Sequence, residues 1–117
     1  MSKLITDPDL TPEDVAELRD RARKLDPTAK KGTRALARAA DVAPAAVNLW
    51  LRGETTPNEV TTAKLLTEYG APSRFGDCES VVAFTHRRDG VTLAFTFIGD
   101  SDAVSEAVDN IRQQVMA

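Results

Sequence analysis

Residues 33 to 57 read TRALARAADVAPAAVNLWLRGETTP, and the spacing of small and apolar side chains in this stretch decides the fold of the first half of the chain. Leu36 and Ala37 belong to one short helix, Val42 marks a turn, and Val47 with Trp50 or Leu51 supplies the buried side of the next helix. At Ala37 the two helices must approach so closely that little more than a methyl group fits. Ten residues later the β-branched Val47 fills the wedge between them. With Val47 inward, a helical period turns Ala43, Pro44, Ala45, Asn48 and Leu49 outward. Trp50 stands at helical spacing from Val47 and reads as core.

Working outward, Thr11-Pro12-Glu13-Asp14 reads as a helix start, with Thr11 as cap, Pro12 in the first turn and the acids at the positive end. Val15, Leu18, Ala22 and Leu25 form its apolar stripe, and Asp26-Pro27 ends it. Thr33 is the expected cap of the second helix. Pro44 opens the third, where first-turn amides have no intrahelical partner, and Gly53 stops it. Asn58 caps a fourth helix whose apolar side is Val60, Ala63, Leu65, Leu66 and Tyr69, closed by Gly70 and Pro72. Residues 1 to 10 show no periodicity and are expected to be a loose arm.

This arrangement is the helix-turn-helix pattern. Arg52-Gly53 followed by Pro57 continues it, and residues 33 to 70 resemble the Cro and lambda-repressor family of helix-turn-helix regulators. Pro12 to Leu25 fits that family's first helix, so the resemblance covers roughly half of the chain. One departure is Asp41, at a turn position where the family usually has Gly; Asp tolerates a left-handed backbone better than most residues. The resemblance implies dimeric binding to operator DNA and transcriptional control. It implies phosphate contacts from Lys30, Lys31, Thr33, Arg34 and Arg38 around the second helix, and from Arg52, Thr55, Thr56 and Asn58 beyond the third. It places base contacts on Pro44, Ala45, Asn48, Leu49, Arg52 and Arg34, with Asn48 suited to adenine, an arginine to guanine, and Pro44 or Ala45 to a thymine methyl.

Charge agrees with that reading once it is divided along the chain. The net charge is −3, yet residues 30 to 52 carry Lys30, Lys31, Arg34, Arg38 and Arg52 against Asp41 alone, a local +4. Phosphate attraction acts over a Debye length of about 10 Å at moderate salt, so cations must be focused on the motif. Cys78 is the only cysteine, which excludes an intrachain disulfide or thiolate cluster. No apolar run approaches the ~20 residues that span a bilayer, and the first ten residues lack a signal-peptide core; a cytoplasmic or nucleoid-associated protein is expected, without membrane. His86 is the sole histidine, no nucleophile-base pair or glycine-rich phosphate loop is present, and neither enzyme nor cofactor is expected.

From Ala71 to Glu79 the composition is that of a linker, and beyond it the period changes to strict alternation. Ser80 to His86 and Val91 to Ile98 read as strands joined through Asp89-Gly90. Counting from that loop sets Arg88 opposite Val91, His86 opposite Leu93, Phe84 opposite Phe95 and Val82 opposite Phe97, which collects the large apolar groups on one face. A last helix from Ser101 or Asp102 to about Val115, with Val104, Ala107, Val108, Ile111 and Val115 on one side, is placed to cover that face. Two strands and a helix leave both strand edges unpaired. A dimerisation module is therefore expected, carried by Val82, Phe84, Leu93, Phe95, Phe97, Val104, Val108, Ile111 and Val115.

The expected fold is mostly α and α+β overall: a four-helix helix-turn-helix domain over 1–70, a linker over 71–79, and a β-hairpin with C-terminal helix over 80–117. The expected function is a sequence-specific DNA-binding transcriptional regulator, a homodimeric autorepressor of an inverted-repeat operator, with the recognition helix at about Pro44 to Arg52. The alternative is an antitoxin-like or adaptor protein whose C-terminal module holds a protein partner.

Overall fold

Strand β1 (Leu4–Thr6) opens the fold, followed by helices α1 (Pro12–Leu25), α2 (Thr33–Ala40), α3 (Pro44–Leu51) and α4 (Glu59–Tyr69). A 3₁₀ turn (Ser73–Phe75), the hairpin strands β2 (Ser80–Arg88) and β3 (Val91–Gly99), and helix α5 (Ser101–Val115) complete it. These elements come from a computed structural model that describes residues 4–26, 28, 32–76 and 78–115. The class is α+β, with five helices and one three-stranded antiparallel sheet, in the order β1-β3-β2, among the described residues.

The first ten residues correct the expectation of a loose arm, and with it the expected order of elements. Leu4, Ile5 and Thr6 pair with Gly99, Ile98 and Phe97, and the Asp7 amide donates to the Thr96 carbonyl at 2.9 Å. Three residues are too few to display an alternating pattern, so the neighbouring strand, not local propensity, creates β1. One edge of the hairpin is thereby covered at its base within the chain.

Hairpin register follows the loop. Asp89 and Gly90 both adopt positive φ, 53° and 80°, as a two-residue connection requires, and Arg88↔Val91, His86↔Leu93, Phe84↔Phe95 and Val82↔Phe97 are the cross-strand partners. The strands run longer than the sequence suggested, to Arg88 and Gly99. Their two faces meet different neighbours. On one, Phe97, Val104 and Val108 are buried together, joined by Val82, Phe84, Phe95, Ala107 and Ile111, so α5 covers the aromatic side. The Phe84 and Phe95 rings lie 5.2 Å apart.

On the other face Ile98 enters the main core with Leu10, Val15, Leu18, Leu36, Ala37, Val47, Trp50, Leu65, Leu66 and Phe75. Helix α4 crosses the sheet here. The Thr67 hydroxyl near its C-terminus lies 3.0 Å from the Ala83 carbonyl, and 2.7 Å from Ala63 one turn back. Cover on both sides explains why Thr96, Phe97, Ile98 and Gly99 are buried in succession.

Within the stretch read as a linker, Arg74 is anchored to α1 and Phe75 to the core. Phe75 is buried, and the Arg74 Nε donates to both Asp14 carboxylate oxygens at 3.0 and 2.9 Å. Turn-forming composition describes the backbone and does not report burial. The same Asp14 completes the capping box with Thr11, so the start of α1 and the exit from α4 share one carboxylate. At the far end of α1, Arg21 donates to the carbonyls of Tyr69 and Ala71 at 2.9 and 2.7 Å, satisfying acceptors that the end of α4 leaves without intrahelical donors.

Candidate nucleic-acid interface

The α2–α3 corner is built from backbone conformation before any side chain acts. Gly32, not Thr33, is the N-cap of α2, at φ 74°, and no side chain caps that end. The reason is contact with α1: a Cβ at Gly32 would lie 2.3 Å from the Arg19 carbonyl oxygen. At the other end Asp41 is left-handed, φ 58° and ψ 48°, and the Val42 amide donates to the Ala37 carbonyl at 3.0 Å. This is the reversal that Gly or Asn usually makes at a helix C-terminus. Ala43 precedes Pro44 and is extended, at ψ 148°, as a residue before proline must be. Helix α3 therefore starts abruptly.

Packing then fixes which way α3 faces. Val47 is fully buried and Trp50 is 5% exposed, beside Leu36 and Ala37 of α2, so Trp50 is a core residue. Ala43, Pro44, Ala45 and Asn48 are exposed and Leu49 is half-buried. At the exit, the Glu54 amide donates to the Leu49 carbonyl at 3.0 Å around a left-handed Gly53. Asn58 caps α4 by accepting from the Thr61 amide at 2.9 Å.

The cations divide into three groups. Arg34 is exposed and, among the described residues, has no bonded partner. Arg52 is exposed too, but its guanidinium is engaged with Glu54, Nη2 to Oε2 at 3.0 Å. Arg38 lies with Asp26, Glu68, Leu25 and Tyr69 in a depression bounded by α1, α2 and the end of α4, to which no α3 residue contributes. Asp26 and Glu68 line the same depression. Lys30 and Lys31 lie outside the described residues.

Thr33 is half-buried and Thr55, Thr56 and Asn58 are exposed. Thr56 and Asn58 share a cleft with Asp7, Asp9 and Glu59. Three acidic residues in the lining of that cleft oppose an incoming phosphate. Outside that acidic cleft stand the exposed residues of α3, with Arg34 and Arg52 also exposed. What the sequence did not indicate is the closeness of acids to the rest, because Asp7 and Asp9 are far away along the chain.

Two titrating groups border the Arg38 depression. The Thr28 hydroxyl and amide, 2.6 and 3.0 Å from Asp26, hold the Asp26 carboxyl below its ordinary value, with Arg38 adding in the same direction. Burial, and then the nearby Glu68 charge, push the Tyr69 phenol up. No group of three or more potential metal ligands occurs among the described residues. No helix among them is long and apolar enough to cross a membrane.

The residues expected to join two copies are used within one chain. Phe97, Val104 and Val108 are buried under α5, with Val82, Phe84, Phe95 and Ile111 against them. Leu93 and Val115 are half-buried and stand outside that cluster. The outer edge of β2 has no strand beside it among the described residues.

Comparison of the chain with models of protein families, with curated proteins and with solved structures finds no match.

Proposed function

We propose that the protein is a sequence-specific, double-stranded DNA-binding transcriptional regulator of the helix-turn-helix kind, acting as a dimeric autorepressor of an inverted-repeat operator. The observation that carries this reading is the division of α3. Val47 and Trp50 are held in the core while Ala43, Pro44, Ala45 and Asn48 of the same helix stand in solvent. A helix anchored on one side and bare on the other is what major-groove insertion needs.

In this reading Asn48 is the principal base-reading side chain, through paired hydrogen bonds to adenine, and Pro44, Ala45 and Leu49 supply apolar contact to thymine methyl groups. Arg34 holds phosphate near the start of α2, and Arg52 reaches DNA only by exchanging its Glu54 partner for a phosphate or a base. A two-fold dimer presents two such helices to half-sites about one helical turn apart. Because α5 already occupies the aromatic face of the hairpin, contact between copies falls to surfaces that stay open, the outer edge of β2 among them.

The test is titration of the full chain onto duplexes selected from random DNA, with Asn48→Ala and Arg34→Ala alongside. Asn48→Ala should cost about 1–3 kcal/mol on the selected site and little on random DNA. Arg34→Ala should weaken both alike and lower the salt dependence by about one phosphate. Binding indifferent to both substitutions would remove the α3 face from consideration, and light scattering of the free and bound protein reads the dimer.

A further inference from the structure

Among the described residues, the hairpin runs on past the rungs on which α4 and the α5 cluster pack. Helix α4 crosses at the level of Ala83, whose cross-strand partner is Thr96, and the α5 cluster ends at the rung of Phe84 and Phe95. Four further rungs follow, from Thr85↔Ala94 to Arg88↔Val91, about 13 Å of strand at ~3.3 Å per residue. Thr85, Arg87, Arg88, Val91 and Thr92 are exposed there, while His86, Leu93 and Ala94 are half-buried. Neither arginine has a bonded partner among the described residues.

The two arginines point to opposite sides of the sheet, because side chains alternate along a strand. Arg88 shares its face with Phe84 and Val82, the side of α5. Arg87 shares its face with Ala83 and Thr85, the side on which α4 lies and from which the α1–α4 layer is built. Its cross-strand neighbour Thr92 is on that face as well.

We infer that the free end of the hairpin is a second contact to DNA, in which Arg87, with the hydroxyls of Thr85 and Thr92, holds a backbone phosphate flanking the half-site bound by α3. The inference rests on the DNA-binding reading. Guanidinium and hydroxyl groups on an exposed ribbon suit phosphate oxygens and carry no sequence information, so this contact adds affinity and fixes orientation. Arg88 faces the other way and takes no part.

The matched pair Arg87→Ala and Arg88→Ala tests this, since each removes one charge at an exposed position. Binding of the full chain to selected and random duplexes is measured between about 50 and 200 mM salt, a range over which one phosphate contact changes affinity about 3.5-fold. Arg87→Ala should lower the slope of log affinity against log salt by about 0.9 on both duplexes, and Arg88→Ala should leave it at the wild-type value. Equal slopes for the two variants, whether both reduced or both unchanged, overturn the assignment. The DNA-binding reading itself fails separately, through a wild-type protein that ignores duplex DNA at low salt.

Discussion

Replacing Gly32 by alanine should damage this protein more than any other single methyl added at a glycine on its surface loops. Gly32 holds φ 74°, a left-handed conformation that costs a residue with a Cβ about 1–2 kcal/mol. The new methyl would stand 2.3 Å from the Arg19 carbonyl oxygen and 3.1 Å from Arg19 Cγ. The nearer atom belongs to the backbone of α1, so no side-chain rotation relieves it; α1 and α2 must separate, at an overpacking cost of about 1–3 kcal/mol. Together these give about 2–5 kcal/mol, a large part of the ~5–15 kcal/mol that holds an ordinary domain together. At this chain length 1 kcal/mol moves Tm by roughly 4 °C, which places Gly32→Ala about 8–20 °C below wild type. Gly90→Ala is the internal control: its φ is 80° but nothing lies within 4 Å of the added Cβ, so only the conformational part, about 4–8 °C, should appear. Far-UV circular dichroism on heating reads both variants. A Gly32→Ala protein that melts no lower than Gly90→Ala would refute the close approach of α1 to α2.

Two smaller perturbations probe the same corner. Asp41→Gly relieves a left-handed residue whose side chain is 88% exposed and whose pair with Lys64, at 3.8 Å, contributes little; Tm should rise, by up to about 4 °C for a gain of up to ~1 kcal/mol, and a fall would count against the turn geometry. Tyr69→Phe tests the raised phenol. With its folded value above the ordinary 10.0, Tyr69 favours the native state below that pH, and the contribution disappears as pH rises through the folded value. Denaturant midpoints between about pH 9 and 11.5 should therefore decline less steeply in Tyr69→Phe than in wild type, and identical alkaline limbs would deny that burial at Tyr69 bears on stability.

What was legible in the sequence follows from where each signal is stored. Helices α1, α3 and α4 announce themselves because their start signals are local: Thr11 with Asp14 and Asn58 with Thr61 cap within three residues, and Pro44 stands in the first turn of α3, which no side chain caps. The hairpin register was equally local, set by Asp89-Gly90 and counted outward. Strand β1 was not, since Leu4–Thr6 owes its conformation to residues more than ninety positions away. Gly32 takes the cap position from Thr33 because it lets Arg19 of another helix come close, and nothing in the local sequence Lys31-Gly32-Thr33 reports that contact. The candidate site divides the same way. Periodicity turned Asn48 outward and Trp50 inward, whereas the cleft that Thr56 and Asn58 share with Asp7 and Asp9, and the depression that Arg38 shares with Asp26 and Glu68, depend on tertiary folding.

That division bears on how a helix with so few polar groups would select a sequence. Ala43, Pro44, Ala45 and Leu49 offer no hydrogen bonds from their side chains, Arg52 is tied to Glu54, and Asn48 is the only polar side chain on the exposed face of α3. Under the DNA-binding proposal one bidentate contact gives about 1–3 kcal/mol of discrimination. Specific sites are usually favoured over random DNA by about 4–10 kcal/mol, so a single α3 falls short. A second copy doubles the contact and adds the requirement of half-site spacing, which rejects most random sequence without any new hydrogen bond. Under that proposal the apolar α3 face and dimerisation go together, because a recognition helix this poor in hydrogen-bonding side chains would need a partner to be selective. A protein that remained monomeric on DNA would have to find its specificity somewhere other than α3.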